Sequence, residues 1–387
     1  MADTPPVSLR DIAKIAKVST MTVSLSLRND PSISKATRER VCKVAKECGY
    51  RRDPLLSAYG QQIRRRKSRA FHSTLAWFHD WTENEAYKTE PWLRRYWAGA
   101  RERAETLGFA LDPIWLREPK LNARRLHDIL QARGIRGFVV HQLLNPEFFK
   151  EFPLDAYAGA SIGQNLLSPH IPRVLADAPA NALIALEQLV ARGYRRIGFF
   201  QNVYHTAKTQ AEGVASVYFH AYRLTGTPPI PPFFFTDVAK DGSEVAAFKA
   251  WLEAHEPDVI LTENDDVLRM LDDTGYRVPQ QTAVAHLEIT DVSKHWSGID
   301  PGAEALGATA VDTLVGQLFR NELGAQHPHE SLRLVGRWVE GETTHPLPGA
   351  TESLKHLAEE TAVFSYNYFR KSLINTQPVK TLRHADD

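Results

Sequence analysis

The chain has 387 residues, 43% hydrophobic and 24% charged, which is enough for two or three globular domains with a real core and rules out disorder as its main state. No run approaches the roughly 18 apolar residues of a membrane span. The formal net charge of +1 hides an asymmetry: residues 1–69 hold 16 Lys and Arg against 6 Asp and Glu, a net of +10, which leaves −9 for the rest. A basic module joined to an acidic body points to a polyanionic partner.

The opening stretch, MADTPPVSLRDIAK, has no apolar signal core, so export is not expected. Three short helices follow. Ile12, Ile15 and Ala16 form one apolar stripe behind Ser8 as N-cap. Lys17 and Val18 make a brief connection, and Ser19 caps a second helix with Val23 and Leu27 facing inward. Asn29-Asp30-Pro31 ends that helix. Ser34 opens a third, with Val41, Val44, Ala45 and Cys48 at helical spacing and Gly49 as its stop. Cys42 and Cys48 are six residues apart on this helix and face different ways, so a disulfide scaffold is excluded and a reducing cytoplasm is the expected location.

Asp53-Pro54 then begins a helix of fewer than two turns before Gly60. A helix that short needs a partner to order it. Arg64-Arg65-Arg66-Lys67 forms a basic linker. From about residue 70 strands alternate with helices, the strands being expected at Ser73–Phe78, Phe109–Leu116, Gly137–His141, Ala156–Ile162, Arg196–Phe200, Phe233–Phe235, Val259–Thr262 and Thr282–Leu287. Gly108, Gly134, Gly193 and Gly275 each stop a helix just before a strand or turn. Such units build parallel sheets covered by helices, and their number favours two similar lobes over one sheet.

The first two helices suit a helix–turn–helix, which needs small residues where the helices approach and short polar side chains on the second helix. Ala13 stands at the approach, Val18 and Val23 lock the pair, and Ser19-Thr20-Met21-Thr22 start the second helix. Ser and Thr bond phosphates or base edges, and a methyl-bearing side chain touches a thymine methyl. The same spacing fits an ordinary three-helix bundle, and the local charge favours the DNA-binding alternative.

Val7-Ser-Leu-Arg-Asp-Ile-Ala-Lys-Ile-Ala-Lys-Val-Ser-Thr-Met-Thr-Val-Ser, Ser34-Lys-Ala-Thr-Arg-Glu-Arg-Val and Gly49-Tyr50 together closely resemble the headpiece of the LacI/GalR (lactose-repressor-like) family. Gly193-Tyr-Arg-Arg-Ile-Gly, Asn264-Asp265, Gly275-Tyr-Arg-Val-Pro and Leu334-Val-Gly-Arg-Trp-Val-Glu-Gly-Glu-Thr resemble its core more loosely. The resemblance implies an α/β chain. It would have a three-helix helix–turn–helix headpiece (residues 1–52), a hinge helix and basic linker (53–69), and a two-lobed core like periplasmic binding proteins, with parallel sheets flanked by helices (70–345). The tail, 346–387, in which Glu352–Tyr366 reads as one more helix, carries no motif that assigns it a role.

DNA-contacting positions implied by the resemblance are Ser8, Ser19, Thr20, Met21, Thr22, Ser24, Leu25, Asn29, Arg51, Arg52, Leu56 and Tyr59. The chain departs from the family pattern at several of them. Lys17 replaces the usual turn glycine, and Leu25 stands where an arginine is common, which removes a bidentate guanine contact. Arg52-Asp53 replaces Pro-Asn, and Tyr59 takes the place of the leucine wedged into the minor groove, a role Leu55 or Leu56 fills if the register slips.

The resemblance also implies a small molecule held between the lobes near strand C-termini. The candidates by position are Trp77, His79 and Trp81 at the end of the first strand, His141 and Gln142 at the end of the third, Gln210 where relatives carry an arginine, Asn264 and Asp265 at the end of another, and Glu288. Aromatic faces with amides and acids suit a sugar or related metabolite. Trp92 and Trp97, on a helix, read equally well as core.

Gly159-Ala-Ser161-Ile-Gly163 matches a nucleophile elbow, but Pro169 and Pro172 preclude the helix that motif requires, so a strand entering a crossover explains it better. His327-Pro-His329 lacks companion ligands for a metal. No phosphate-cradling glycine motif occurs, and neither an enzyme nor a cofactor is expected. The expected function is a transcriptional regulator that acts as a homodimeric repressor on a pseudo-palindromic DNA operator and is controlled by an effector. The alternative is a dimeric DNA-binding protein of this fold that answers to no ligand.

Overall fold

The computed structural model describes residues 9–27, 32–48, 73–141, 143, 146–163, 170–203, 211–236, 242–289, 295–325, 330–348 and 350. Expectations for Ser8, Asn29, Gly49, Arg51, Arg52, Leu55, Leu56, Tyr59, Gln142, Gln210, the His327–His329 pair and the tail from 351 onward lie outside these residues.

Three helices come first: α1 (Leu9–Ala16), α2 (Thr20–Ser26) and α3 (Lys35–Glu47). Then come β1 (Ser73–His79), α4 (Ala86–Thr89), α5 (Pro91–Leu107), β2 (Phe109–Trp115), α6 (Ala123–Ala132), β3 (Gly137–His141), β4 (Ala158–Ile162) and β5 (Arg173–Ala176). The chain continues through α7 (Ala178–Ala191), β6 (Ile197–Asn202), α8 (Glu212–Thr225), β7 (Phe233–Phe235), α9 (Ser243–His255) and β8 (Val259–Thr262). It ends with α10 (Asp266–Thr274), β9 (Ala283–His286), β10 (Gly298–Asp300), α11 (Ala303–Arg320), β11 (Ser331–Leu334) and β12 (Arg337–Val339).

The strands form two six-stranded sheets, ordered β11-β5-β4-β3-β1-β2 and β12-β10-β9-β8-β6-β7. Pairing in the first sheet is parallel, as it is from β6 through β10 in the second. The chain divides into two compact units, one up to Asp177 plus Asp300–Gly336, the other Ala178–Ile299 plus the chain from Arg337. Two parallel sheets flanked by helices, rather than one, agree with the two-lobed expectation.

Each sheet is buried on both faces, which is why its central strands read as unbroken apolar runs. Leu75, Trp77 and Val139 enter one core of the first sheet, and Ala76, Phe78, Phe138 and Val140 enter the other. In the second sheet Phe199, Leu261 and Ala285 point to one core, Phe200, Ile260 and Val284 to its opposite. Gly108, Gly134, Gly193 and Gly275 take φ of 86°, 65°, 95° and 82°, the left-handed conformation that stops a helix and releases the chain into the next strand or turn.

Three strands keep their expected limits and the others shift slightly. Leu154–Ala156 is a 3-10 turn, so the fourth strand starts at Ala158, and the strand expected to end at Phe200 runs on to Asn202. β5, β10, β11 and β12 escape sequence reading altogether. They are three or four residues long, and in β11 and β12 exposed polar residues interrupt the apolar pattern, leaving no period to detect.

Candidate functional site

The helix–turn–helix is built from small apolar residues outward. Ile12, Ala13 and Ala16 of α1 pack on Val23 of α2 and on Val41 and Ala45 of α3, with Val18, Leu27 and Val44 closing the cluster. The turn is drawn tight by the Val18 amide, which donates to the Ala13 carbonyl at 3.0 Å. Lys17 achieves this with φ of 53°, the left-handed strain expected where a glycine is missing. Ser19 caps α2 as its sequence position requires, its Oγ accepting from the Thr22 amide at 3.0 Å and lying 2.9 Å from Thr22 Oγ1. Ser34 caps α3 in the same way.

With Val23 buried in this core, α2 presents its other side to solvent. Ser19, Thr20 and Met21 are exposed, Met21 at 66%, while Thr22 and Leu25 are half-buried and Ser24 belongs to the same helix. An exposed methionine on a short helix flanked by threonine hydroxyls offers both an apolar and a hydrogen-bonding contact to a base edge.

The second candidate region is the C-terminal end of the first sheet. Trp77 and His79 from β1 and His141 from β3 lie on one face and are at most 1% exposed. They join a continuous network of rings. Trp81 meets Trp92 at 4.7 Å, Trp92 meets His141 at 5.4 Å, and His141 stacks on Trp77 at 6.0 Å. Trp77 meets Trp97 edge-on at 5.5 Å, Trp97 meets Tyr87 at 4.8 Å, and Tyr87 meets His79 at 5.5 Å. Tyr96 adds a ring 4.5 Å from His141. Four of these rings come from α4 and α5, the chain just after β1.

This cluster is short of hydrogen bonds. Trp77 Nε1, Trp81 Nε1, both ring nitrogens of His79 and Nδ1 of His141 are buried without a partner among the described residues. Each such group costs about 1–3 kcal/mol if left unpaired. Burial pulls the His79 imidazole down to about 4 and His141, beside it, to about 3, so both rings are neutral at pH 7.

The matching end of the second sheet is polar and acidic. Gln201 on β6 donates to Glu263 at 2.7 Å, and Asn264 Oδ1 accepts the Asp266 amide at 2.7 Å, starting α10. His286, at the end of β9, accepts the Glu288 amide on Nδ1 at 3.0 Å. The other ring nitrogen, Nε2, lies 3.3 Å from Asp265 Oδ1. Trp296 packs against the same ring at 4.9 Å. β10 reaches this place only because Gly298, with φ of 149°, has no side chain, since a Cβ would overlap the His286 backbone.

Sequence reasoning therefore located Trp77, His79, Trp81 and His141 together, and Asn264, Asp265 and Glu288 together. It missed Tyr87 and Tyr96, left Trp92 and Trp97 undecided, and overlooked Gln201, Glu263 and His286. His286 had a signal available, a polar residue ending a buried apolar strand as His141 does. Ser161 of the elbow-like motif is buried within β4, on the face of the sheet opposite the ring cluster. Among the described residues no group of three or more metal-binding side chains occurs, and no helix is long and apolar enough to cross a membrane.

Known proteins resemble the chain along the same division. Residues 8–53 match the sequence profile of bacterial regulatory proteins of the lacI family, and residues 186–344 match a periplasmic binding protein-like domain. The HTH-type transcriptional repressor CytR of Escherichia coli K12 is 45% identical over 62 residues, 16% of this chain and 17% of that protein. The HTH-type transcriptional regulator MalR of Streptococcus pneumoniae TIGR4 is 26% identical over 200 residues, 50% of this chain and 56% of that one. The matches thus span less than two thirds of either relative's length. Among solved structures, the transcriptional regulator CelR in complex with cellobiose covers 87% of this chain and 100% of its own at 21% identity, with a TM-score of 0.54, a likeness of fold. The chain thus carries, in this order, a segment that matches the headpiece of lacI-family regulatory proteins and one that matches a periplasmic binding protein-like domain.

Proposed function

We propose that the chain is a sequence-specific DNA-binding transcriptional regulator that acts as a homodimeric repressor on a pseudo-palindromic operator, with an affinity set by a small molecule bound at strand C-termini of the core. The observation that carries this reading is the face of α2. Serine caps its start, its inner side is locked by Ala13, Val18 and Val23, and Thr20 and Met21 stand free for the major groove. Ser19, Thr22, Ser24 and Leu25 complete the reading helix. Ser8 and Asn29 flank it, Arg51 and Arg52 hold phosphates, and Tyr59 or Leu56 wedges the minor groove between paired hinges.

Ligand control is supported by the unpaired ring nitrogens at the end of the first sheet and by the relatives' fold. Trp77, His79, Trp81, His141, Gln142, Gln210, Asn264, Asp265 and Glu288 are the residues proposed to contact effector. Selection of bound duplexes from a randomised library by the full-length protein tests the proposal. Enrichment of a two-fold symmetric site with half-sites about one helical turn or a multiple of it apart is expected. If no sequence is enriched over scrambled competitor, the proposal falls.

A further inference from the structure

In the second unit, α8 is apolar on two sides. Its inner side sends Val217 and Ala221 into the core cluster that also holds Phe199 and Leu261. Its outer side carries Ala215, Phe219 and Tyr222 at helical spacing, all exposed, the two rings at 65% and 59%. Among the described residues no other helix exposes two large apolar side chains. A helix that is apolar all round is normally covered on both sides, and a contiguous exposed apolar patch marks a contact surface. We infer that this face is covered by the chain's own tail: Glu352–Tyr366 form a helix that packs along the outer side of α8 in the same chain.

The path of the chain supports this occupant. The Tyr194 hydroxyl donates to the His345 carbonyl at 2.7 Å, and the Leu347 amide donates to the Arg192 carbonyl at 2.8 Å. The Leu347 side chain packs on the same cluster that receives Val217 and Ala221. Ala350, the last described residue, has its amide nitrogen 4.0 Å from where a Cβ on Gly193 would stand. The tail thus departs from the C-terminal end of α7. α7 and α8 lie side by side and both run against the strands of a parallel sheet, so the C-terminal end of α8, with Tyr222, lies at the same edge. The Arg223 guanidinium is close enough to Glu187, in the last turns of α7, to oppose the rise that burial imposes on that carboxyl.

The tail sequence matches the face. Leu354, Leu357, Ala358, Thr361 and Phe364, at i, i+3, i+4, i+7 and i+10, form one stripe that is apolar but for Thr361. Lys355, His356, Glu359 and Glu360 fall on the other side. A helix over 352–366 spans about 22 Å, close to the length of α8, which has 14 residues. A helix of that length is marginal by itself in water, so both surfaces gain from one contact. Tethered by Thr351 alone, the segment meets α8 at an effective concentration of about 1 mM or above, which favours it over a second molecule.

Photo-crosslinking in the full-length protein tests the placement. With benzoylphenylalanine in place of Phe219, and in a second sample in place of Tyr222, irradiation should join that position to a peptide from within 352–366. The product should run as a single chain on a denaturing gel. Leu357→Asp combined with Phe364→Asp alters only the tail and breaks its stripe. In that variant hydroxyl-radical labelling of Phe219 and Tyr222 should rise at least about threefold, as loss of a tethered contact requires. The mass of the assembly in sedimentation should stay the same.

Adducts that reach 352–366 from neither position, or labelling that does not change in the variant, overturn the inference. Adducts that join two chains give the face to a second copy, and a fall in assembly mass means that the tail links chains; either overturns it too. Each of these results leaves the DNA-binding reading untouched.

Discussion

A single backbone angle at Lys17 decides how tightly α1 turns into α2. An L-residue with φ of 53° sets its Cβ against the next carbonyl, at a cost of about 1 kcal/mol that glycine would not bear. The turn persists because the Val18 amide bonds to Ala13 and because Ala13, Val18 and Val23 pack together just beyond it. Lys17→Gly is therefore expected to stabilise the three-helix module, offset in part by the freer unfolded chain. Hydrogen exchange in the full-length protein would show it as about fivefold greater protection of the Val18 and Val23 amides. Unchanged or weaker protection would mean that the lysine side chain supports the turn. The strain was legible at the sequence level, since the turn position could be counted from Ala13 to Ser19, and only the torsion itself had to come from the structure.

Between elements, the closest approach in the first unit is made by α5 and α11. A Cβ at Gly99 would overlap the Glu304 carbonyl, and one at Gly307 would overlap the Tyr96 carbonyl, so each helix lays its backbone against the other. The Arg95–Glu304 and Arg103–Asp312 pairs clamp the same seam. Because backbone cannot swing aside as a side chain does, Gly99→Ala should cost about 3 kcal/mol or more, beyond the usual range for an added methyl group. Urea unfolding, with the exposed neighbour change Ala98→Ser as control, measures it, and a loss below about 1 kcal/mol would show that the helices do not touch there. Nothing in the sequence announced this seam. Gly99 lies in a helix 208 residues from Gly307, and no local period links them. The ring cluster was half-hidden for the same reason. His79 and His141 end strands, where position alone marks them, whereas Tyr87, Trp92, Tyr96 and Trp97 reach the site only through the packing of α4 and α5. By contrast, the central strands and the glycines that stop helices were plain, because burial on both faces and left-handed turns each leave a local signature.

At the scale of the whole molecule, charge separates what is proposed to grip DNA from what is proposed to sense the effector. The first 69 residues carry a net +10 and the remainder −9, so the acidic body repels the polyanion that the basic module attracts. On the proposed reading, this division sets a threshold. Binding to arbitrary DNA is sustained almost wholly by phosphate contacts, whereas a specific site adds the contacts of Thr20, Met21 and their neighbours, which release no counterions. The two kinds of binding should then respond differently to base-reading changes and alike to salt. With about 6–10 phosphate contacts per dimer, raising salt from 50 to 200 mM should weaken both by about 10³–10⁵. The ratio of specific to random affinity should stay nearly constant if the phosphate contacts are shared. Met21→Ala should reduce that ratio and leave the salt slope unchanged, since it deletes a base contact and no charge. Fluorescence anisotropy with a selected site and a scrambled duplex, at four salt concentrations, measures both quantities. A variant that changes the slope, or one that weakens random and specific binding equally, would remove the exposed face of α2 from sequence reading.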